Sequence, residues 1–364
     1  MINVISTALN DKLVVGGIFC DLQKAFDCVN HEILMEKLEF YGIQGKFCSL
    51  IKSYLMGRFQ KVVLGNSNDN GNSSNWKQIK NSVPQGSILG PLLFLIYIND
   101  LPRILDENTN TVLFADDTSI LITSSDKMDL DENINQTFQK INNWFKSNQL
   151  ALNLDKTQFL EFRTNYFFTD SVQTDYEQEL MNNATEVRFL GLTLDDTLFW
   201  KKHIEQLNSK LCSACYALWN IRSEVSLHTL KIIYFAYIHS LLSYGIIFWG
   251  NSLHAKRAFI IQKNSIRIMT NSKRTDSCRQ LFKNLKIMMM YFQYIYSLML
   301  FTVKNNNFFT PNSKIHEYRT RCSNDLHLPI ANLKRYTEGP YFSAIKIYNH
   351  LPEYVKSLAL DLKS

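Results

Sequence analysis

The sequence predicts an α+β protein whose front half mixes an antiparallel sheet with helices and whose rear half is mostly helical. Three observations carry this. Short apolar runs alternate with 3.6-period segments as far as Leu194. Helical patterns dominate from Leu198 onward. The 364 residues are 46% hydrophobic and 13% aromatic, enough core material for two or three packed subdomains.

Taken in order, Lys12–Asp21 is rich in Val, Ile and Phe and reads as a buried strand that ends on an exposed acid. His31–Tyr41 carries Ile33, Leu34, Leu38 and Phe40 at helical spacing, Lys46–Leu55 repeats the pattern, and Gly42 and Gly57 stop the two helices. Arg58–Leu64 and Trp76–Lys80 read as strands on either side of the Asn-, Ser- and Gly-rich loop Asn66–Asn75, a hairpin. The turn-rich Ser82–Ser87 leads into an apolar helix, Pro91–Ile98. Thr111–Ile122 is apolar on both sides of an Asp pair, which predicts a tight hairpin with acids at its tip. Asp131–Asn148 is amphipathic, with Ile134, Phe138, Ile141 and Phe145 on one face. Lys156–Phe162 and Val187–Leu194 are two further strands separated by a polar insert, and the change of signal over Asp195–Trp200 marks a domain boundary. The chain has no internal repeat and no long low-complexity tract.

The net charge of +6 and pI near 8.8 permit a polyanionic partner without demanding one. The charge is uneven, however. Between residues 251 and 300 there are nine basic residues and one acid, Asp276, a pattern that fits either a solvated helix face or a stripe for a phosphate backbone. Seven scattered cysteines and no cleavable signal predict a reduced intracellular protein, nuclear or cytoplasmic and not secreted. Cys212 and Cys215 form a single CxxC, read as two small residues on a buried helix face rather than as a zinc site. Ile232–Gly250 runs for 19 residues without Lys, Arg, Asp or Glu. His239, Ser240, Ser243 and three tyrosines interrupt it, so a buried helix is expected and no membrane partner.

The chemistry lies in the acids. Asp21 ends one strand and Asp116 with Asp117 tips a hairpin 95 residues later, so adjacent antiparallel strands can bring all three together. Crowded carboxylates repel unless hard cations neutralise them, and Mg2+ prefers such oxygen ligands. Two such ions would activate a 3′-hydroxyl and stabilise leaving pyrophosphate in an in-line displacement. Taken alone, an Asp pair in a turn is usually turn chemistry. His31 and His203 lack a partner acid at catalytic spacing and read as hydrogen-bonded structural histidines, and Asp27 reads as a helix cap. There is no Ser-His-Asp grouping, Walker loop or dinucleotide fingerprint.

The words around the acids are more specific. Phe19-Cys20-Asp21-Leu22-Gln23-Lys24-Ala25-Phe26-Asp27 is followed by Pro84-Gln85-Gly86-Ser87, by Leu89-Gly90-Pro91-Leu92-Leu93-Phe94 and by Phe114-Ala115-Asp116-Asp117. Asn153-Leu154-Asp155-Lys156-Thr157, Phe189-Leu190-Gly191-Leu192 and Trp200 with His203-Ile204 come next, then weaker matches at Tyr318–Pro329 and Asn349–Pro352. This ordered set resembles the reverse transcriptases, and among them those of non-LTR retrotransposons of the LINE-like, jockey or CR1 type.

The resemblance implies a right-hand polymerase palm over residues 1–197 with incomplete fingers, a helical thumb over 198–300 and a C-terminal region over 301–364. It implies an RNA-directed DNA polymerase with an RNA template, a DNA primer and deoxynucleoside triphosphates as partners. Asp21 and Asp116 match the principal ligands of two Mg2+ ions (Mn2+ able to substitute), Asp117 the third acid, and the Leu22 carbonyl completes one shell. Phe26 matches the aromatic gate that excludes a 2′-hydroxyl, and Gln85 with Gly86 the loop that touches the incoming nucleotide. Lys156 matches the lysine that protonates leaving pyrophosphate. Phe189, Leu190 and Gly191 resemble the primer grip, and Lys256, Arg257, Lys263, Arg267, Lys273 and Arg274 would face the nucleic-acid backbone. Only twenty residues precede Asp21. An N-terminally truncated element is therefore expected, without most of the fingers, the endonuclease or a zinc knuckle, and with Met1 an internal methionine. A catalytically inactive remnant that folds and binds RNA or an RNA–DNA hybrid is the alternative, and a membrane protein spanning at Ile232–Gly250 the third reading.

Overall fold

The computed structural model describes residues 1–64, 73–164, 175–176, 179–180, 182–315 and 325–356. The chain forms two compact units, one of Leu13–Thr185 with Met1, the other of Ile2–Lys12 with Glu186–Ser364.

Helix α1 (Ile2–Asn10), part of the second unit, precedes the central strand of the first, β1 (Val14–Cys20). Then come α2 (His31–Phe40), α3 (Lys46–Leu55), the short strands β2 (Phe59–Gln60) and β3 (Lys77–Gln78), α4 (Leu89–Ile98), β4 (Thr109–Phe114) and β5 (Asp117–Ser124). The unit ends with α5 (Lys127–Ser147), β6 (Gln158–Phe162), the small pair β7 (Asp175–Tyr176) and β8 (Glu179–Leu180), and β9 (Asn182–Asn183). Five strands form the main sheet in the order β4-β5-β1-β6-β9, antiparallel except for β6 with β9.

Strand β1 is central because it can be: every residue after Val14 is buried, so it takes neighbours on both edges and packing on both faces. Gly16 makes room for that packing, since a Cβ there would lie 2.8 Å from the Phe159 ring and 3.3 Å from Ile134. Helix α5 lays Leu130, Ile134, Phe138, Ile141 and Phe145 into the core shared with Ile18, Ile120 and Ile122. Each such side chain stabilises by about 1.5–3 kcal/mol relative to exposure. Asp126 caps α5 by accepting from the Asp129 amide at 2.9 Å, and Asn30 caps α2 by accepting from Glu32 and Ile33. Lys37 on α2 donates to the Asp100 carboxylate at 2.7 Å and to the Tyr97 carbonyl at 2.6 Å, which ties α2 to the end of α4.

Beyond α1, the second unit resumes with the hairpin β10 (Glu186–Phe189) and β11 (Leu192–Asp195), where the sequence predicts one strand over Val187–Leu194. Leu190 (φ 44°) and Gly191 (φ 79°) make its two-residue turn, both in the left-handed region that hairpin turns of this length need. Helices follow: α6 (Lys201–Ile221), α7 (Leu227–Ile233), a π-helical turn over Tyr234–His239, α8 (Ser240–Ser243), α9 (Ile246–Trp249), α10 (Lys256–Met269), α11 (Cys278–Leu285), α12 (Met290–Lys304), α13 (Lys334–Glu338) and α14 (Pro340–Asn349). The uncharged run Ile232–Gly250 is thus not one helix: helical backbone continues from Leu227 through the π-helical turn to Ser243, breaks at the extended Tyr244 and left-handed Gly245, and resumes as α9. Among the described residues no helix is long and apolar enough to cross a membrane. Cys215 is buried on α6 but Cys212 is exposed, so the CxxC pair does not share a buried face.

Two buried amides order this unit. Gln262 on α10 donates to the Tyr234 hydroxyl at 2.9 Å and the Met288 carbonyl at 3.1 Å, and accepts from the Met290 amide at 2.9 Å. Asn10 at the end of α1 accepts from the Asn332 and Leu333 amides and donates to the Ile330 carbonyl. The loop expected over Asn66–Asn75 and the match at Tyr318–Pro329 lie largely outside the described residues.

Candidate active site

β1 stops at Cys20, which pairs with Thr118, and β5 starts at Asp117, which pairs with Phe114 across the hairpin. One step further in this register places Asp21 beside Asp117. Ala115 (φ 51°) and Asp116 form the turn between β4 and β5, so Asp116 sits at the tip. Three acids therefore gather at one end of the sheet. Their mutual field is felt at Asp117, whose carboxyl is held above its ordinary value of 3.8 by partial burial first, then by Asp116 and Asp21.

Asp21 is clasped from one side by the segment Asn153–Thr157. The Asn153 amide side chain donates to Asp21 Oδ2 at 3.2 Å, and the Asn153 backbone N–H donates to the Asp21 carbonyl at 2.8 Å. The Asp21 N–H donates to Thr157 Oγ1 at 3.4 Å, and Thr157 in turn donates to the Asn153 carbonyl at 2.9 Å. Lys156 Nζ stands 3.7 Å from Asp21 Oδ2 on an exposed side chain. Leu22 forms an isolated bridge with Leu152, and among the described residues no donor takes its carbonyl.

The donor set is all oxygen and self-repelling, which fits a hard divalent cation. The carboxylates are not closed on one point, since among the described residues no group of three or more His, Cys, Asp or Glu could hold a metal ion. Asp116 and Asp117 are exposed and Asp21 is half-buried, so approach from solvent is open.

Phe26 packs against Phe94 with ring centroids 4.9 Å apart and stays partly exposed. Gln85 Nε2 donates to Asp27 Oδ1 at 3.0 Å, so Asp27 braces the Gln85 loop, and the α2 cap falls to Asn30 instead. Gly86 (φ 79°) turns that loop, and Val83 donates to the Phe26 carbonyl at 2.9 Å, which keeps the Phe26 and Gln85 segments side by side.

In the second unit the Leu190–Gly191 turn is pinned by Tyr244, whose hydroxyl donates to the Leu190 carbonyl. A Cβ on Gly191 would lie 3.2 Å from the Tyr244 ring. Of the basic residues, Lys256, Arg257, Lys273 and Arg274 are exposed. Lys263 lies 5.0 Å from the Phe259 ring centroid, and Arg267 donates to the Asp276 carbonyl and to Asn264. His31 and His203 are structural. His31 Nε2 lies 2.8 Å from the Ser82 carbonyl. His203 accepts from the Thr193 amide, and burial lowers its pKa to about 4, so its ring is neutral near pH 7.

Residues 5–194, more than half of the chain, match the family described as reverse transcriptase (RNA-dependent DNA polymerase). The chain belongs to the reverse transcriptase family. Over 299 residues it is 27% identical to a probable RNA-directed DNA polymerase from transposon X-element of Drosophila melanogaster, covering 79% of this chain and 32% of that protein. It is 24% identical over 298 residues to the RNA-directed DNA polymerase from mobile element jockey of the same species, with the same two coverages of 79% and 32%. The chain thus spans about a third of the length of these curated relatives. A solved telomerase from Candida albicans, in complex with a TWJ fragment of telomeric RNA, aligns with a TM-score of 0.42 at 11% identity, covering 79% of this chain and 52% of that one.

Four residues of this reverse transcriptase chain were not singled out as site residues from sequence. Asn153 and Thr157 lie in the same run as Lys156 and hold Asp21. Gly90 lets the Gln85 loop close on α4, because a Cβ there would lie 2.6 Å from the Pro84 carbonyl. Tyr244 supports the Leu190 turn from within the uncharged run Ile232–Gly250, 54 residues away, where no local pattern marks it as a partner.

Proposed function

We propose that this chain carries the polymerase centre of a non-LTR retrotransposon and adds deoxynucleotides to a primer 3′-hydroxyl on an RNA template. The observation that carries the reading is the register of β1 with β5, which sets Asp21 beside Asp117 with Asp116 at the adjoining turn. Asp21, Asp116 and the Leu22 carbonyl would hold two Mg2+ ions, with Asp117 adding charge at their edge. When bound, the ions supply activation of the attacking hydroxyl and neutralisation of the leaving pyrophosphate.

The protein's own groups do the rest. Asn153 and Thr157 fix Asp21 so that its carboxylate is oriented before substrate arrives. Lys156, already beside Asp21, would donate a proton to the pyrophosphate as it leaves. Phe26, backed by Phe94, would fill the space a 2′-hydroxyl requires, and Gln85 with Gly86 would line the nucleotide. Phe189, Leu190 and Gly191 would grip the primer end, and the basic residues from Lys256 to Arg274 would follow the duplex backbone. In this reading residues 1–197 serve as palm, 198–300 as thumb and 301–364 as the C-terminal region, and the reaction takes place inside the cell. Primer extension on an RNA template tests it, with Asp116→Ala as the inactive control. RNA binding without incorporation by the unaltered chain would instead support the inactive-remnant alternative.

A further inference from the structure

We infer that a cavity in the second unit, between the ends of α6 and α10, is a subsite for one unstacked nucleobase and its phosphate from a single-stranded polynucleotide. The inference rests on the reading that this chain handles nucleic acid, and it adds a site that the three acids do not use. The cavity measures about 360 Å3, within the range of roughly 300–1,000 Å3 usual for small-ligand sites. Trp219 lines it from α6 and Arg222 from the cap residue just after it, Asn264 and Arg267 from α10, and Asn271 and Arg274 from the turn that follows.

The lining contains three guanidiniums and no carboxylate. Two helix C-termini meet here, each worth about half a negative charge, so an excess of positive charge remains. At the end of α10 no arginine is needed as a cap. There the Ile266, Arg267 and Ile268 carbonyls already accept backbone N–H groups from Thr270, Ser272 and Asn271. Arg267 is instead fixed by its bonds to the Asp276 carbonyl at 2.9 and 3.2 Å and to Asn264 Oδ1 at 3.3 Å. Among the described residues neither Arg222 nor Arg274 is paired with a carboxylate.

The aromatic member decides between a free phosphate and a phosphate that carries a base. Trp219 is 51% exposed, an unusual place for the largest side chain, and the Arg222 guanidinium stands 4.7 Å from its ring centroid. A free phosphate needs no indole. A base gains from one, because stacking on an aromatic ring beside arginine is the common device of single-strand binding. The Asn264 and Asn271 amides offer both donors and acceptors to a base edge. A base held in a cavity must leave its stack, which a regular duplex resists, so the ligand is single-stranded.

The test uses the full chain and fluorescence anisotropy with labelled oligouridylate, its deoxy counterpart and a blunt RNA duplex. Trp219→Ala should weaken single-strand binding by about tenfold, and Trp219→Phe by no more than about threefold, because a ring is retained. Duplex binding should be unchanged by either. Arg222→Gln should lower the slope of log affinity against log salt by about one phosphate contact on the single strand. A larger loss with oligouridylate than with the deoxy strand assigns the site to RNA, the reverse to DNA, and either supports the subsite. Wild-type single-strand affinity in Trp219→Ala, or an equal loss on duplex and single strand, overturns the subsite while leaving the polymerase reading intact. Failure of the unaltered chain to bind any polynucleotide at low salt overturns both.

Discussion

Asn153 holds Asp21 at two points, its side-chain amide on the carboxylate at 3.2 Å and its backbone N–H on the carbonyl at 2.8 Å. A carboxylate fixed in this way loses less freedom when a cation arrives. Asn153→Ala should therefore raise the Mg2+ concentration for half-maximal primer extension by about tenfold, the usual scale for losing a partner of a metal ligand. Thermal melting should move little, because Asp21 and Asn153 are only partly buried. An unchanged metal requirement would show that the clasp is structural alone.

Asp117 gives the site a pH signature. Its carboxyl is raised above the unfolded value of 3.8, so its favourable contribution to stability is full below that value and is lost as pH rises through the raised one. At neutral pH the metal-free protein carries this repulsion. Asp117→Asn removes it, so the variant should melt at or above the wild type without metal and gain less on adding Mg2+. Differential scanning fluorimetry with and without Mg2+ reads both. A lower melting point for metal-free Asp117→Asn would refute the repulsion.

Lys156 stands 3.7 Å from Asp21 Oδ2, where a proton donor and a simple counter-charge look alike. Arginine separates them, because a guanidinium keeps the charge but does not release its proton. As a proton donor, Lys156→Ala should slow single-turnover incorporation by about a hundredfold or more, and Lys156→Arg should not restore it. Full rescue by arginine would leave Lys156 as a counter-charge.

The second unit depends on Gln262, which is buried and fully hydrogen-bonded to Tyr234, Met288 and Met290. Gln262→Ala strands a buried amide at the start of α12 and a buried hydroxyl. It should cost roughly 2–4 kcal/mol, seen as a lower urea midpoint at unchanged slope. A change within about 0.5 kcal/mol, typical of surface sites, would contradict this.

Much of the first unit was legible because its strands are short, apolar and end on unlike residues. The strand expected over Lys12–Asp21 appears as Val14–Cys20, and the hairpin expected over Thr111–Ile122 appears with its turn at Ala115 and Asp116. Helix starts were less clear. α5 begins at Lys127 rather than Asp131, because the Asp126 cap precedes a first turn that is largely polar. α4 begins two residues before Pro91, where Ser87 accepts from the Gly90 amide. The break at Leu190 was hidden, since apolar residues run through it and leucine rarely takes a positive φ. Partners distant in sequence left no local signal. Asn153 and Asp21 are 132 residues apart and Gln85 and Asp27 are 58 apart, so only the fold reveals which polar side chain orients which.

The most direct measurement is incorporation of a single deoxynucleotide into a primer annealed to an RNA template, by purified wild-type protein and by Asp116→Ala, with Mg2+ present. Extension by the wild type is expected, with its loss in the variant by a factor of at least about a thousand while the variant stays folded, as a cooperative melting transition shows. Extension by Asp116→Ala at the wild-type rate, or none by a folded wild-type chain, would contradict this.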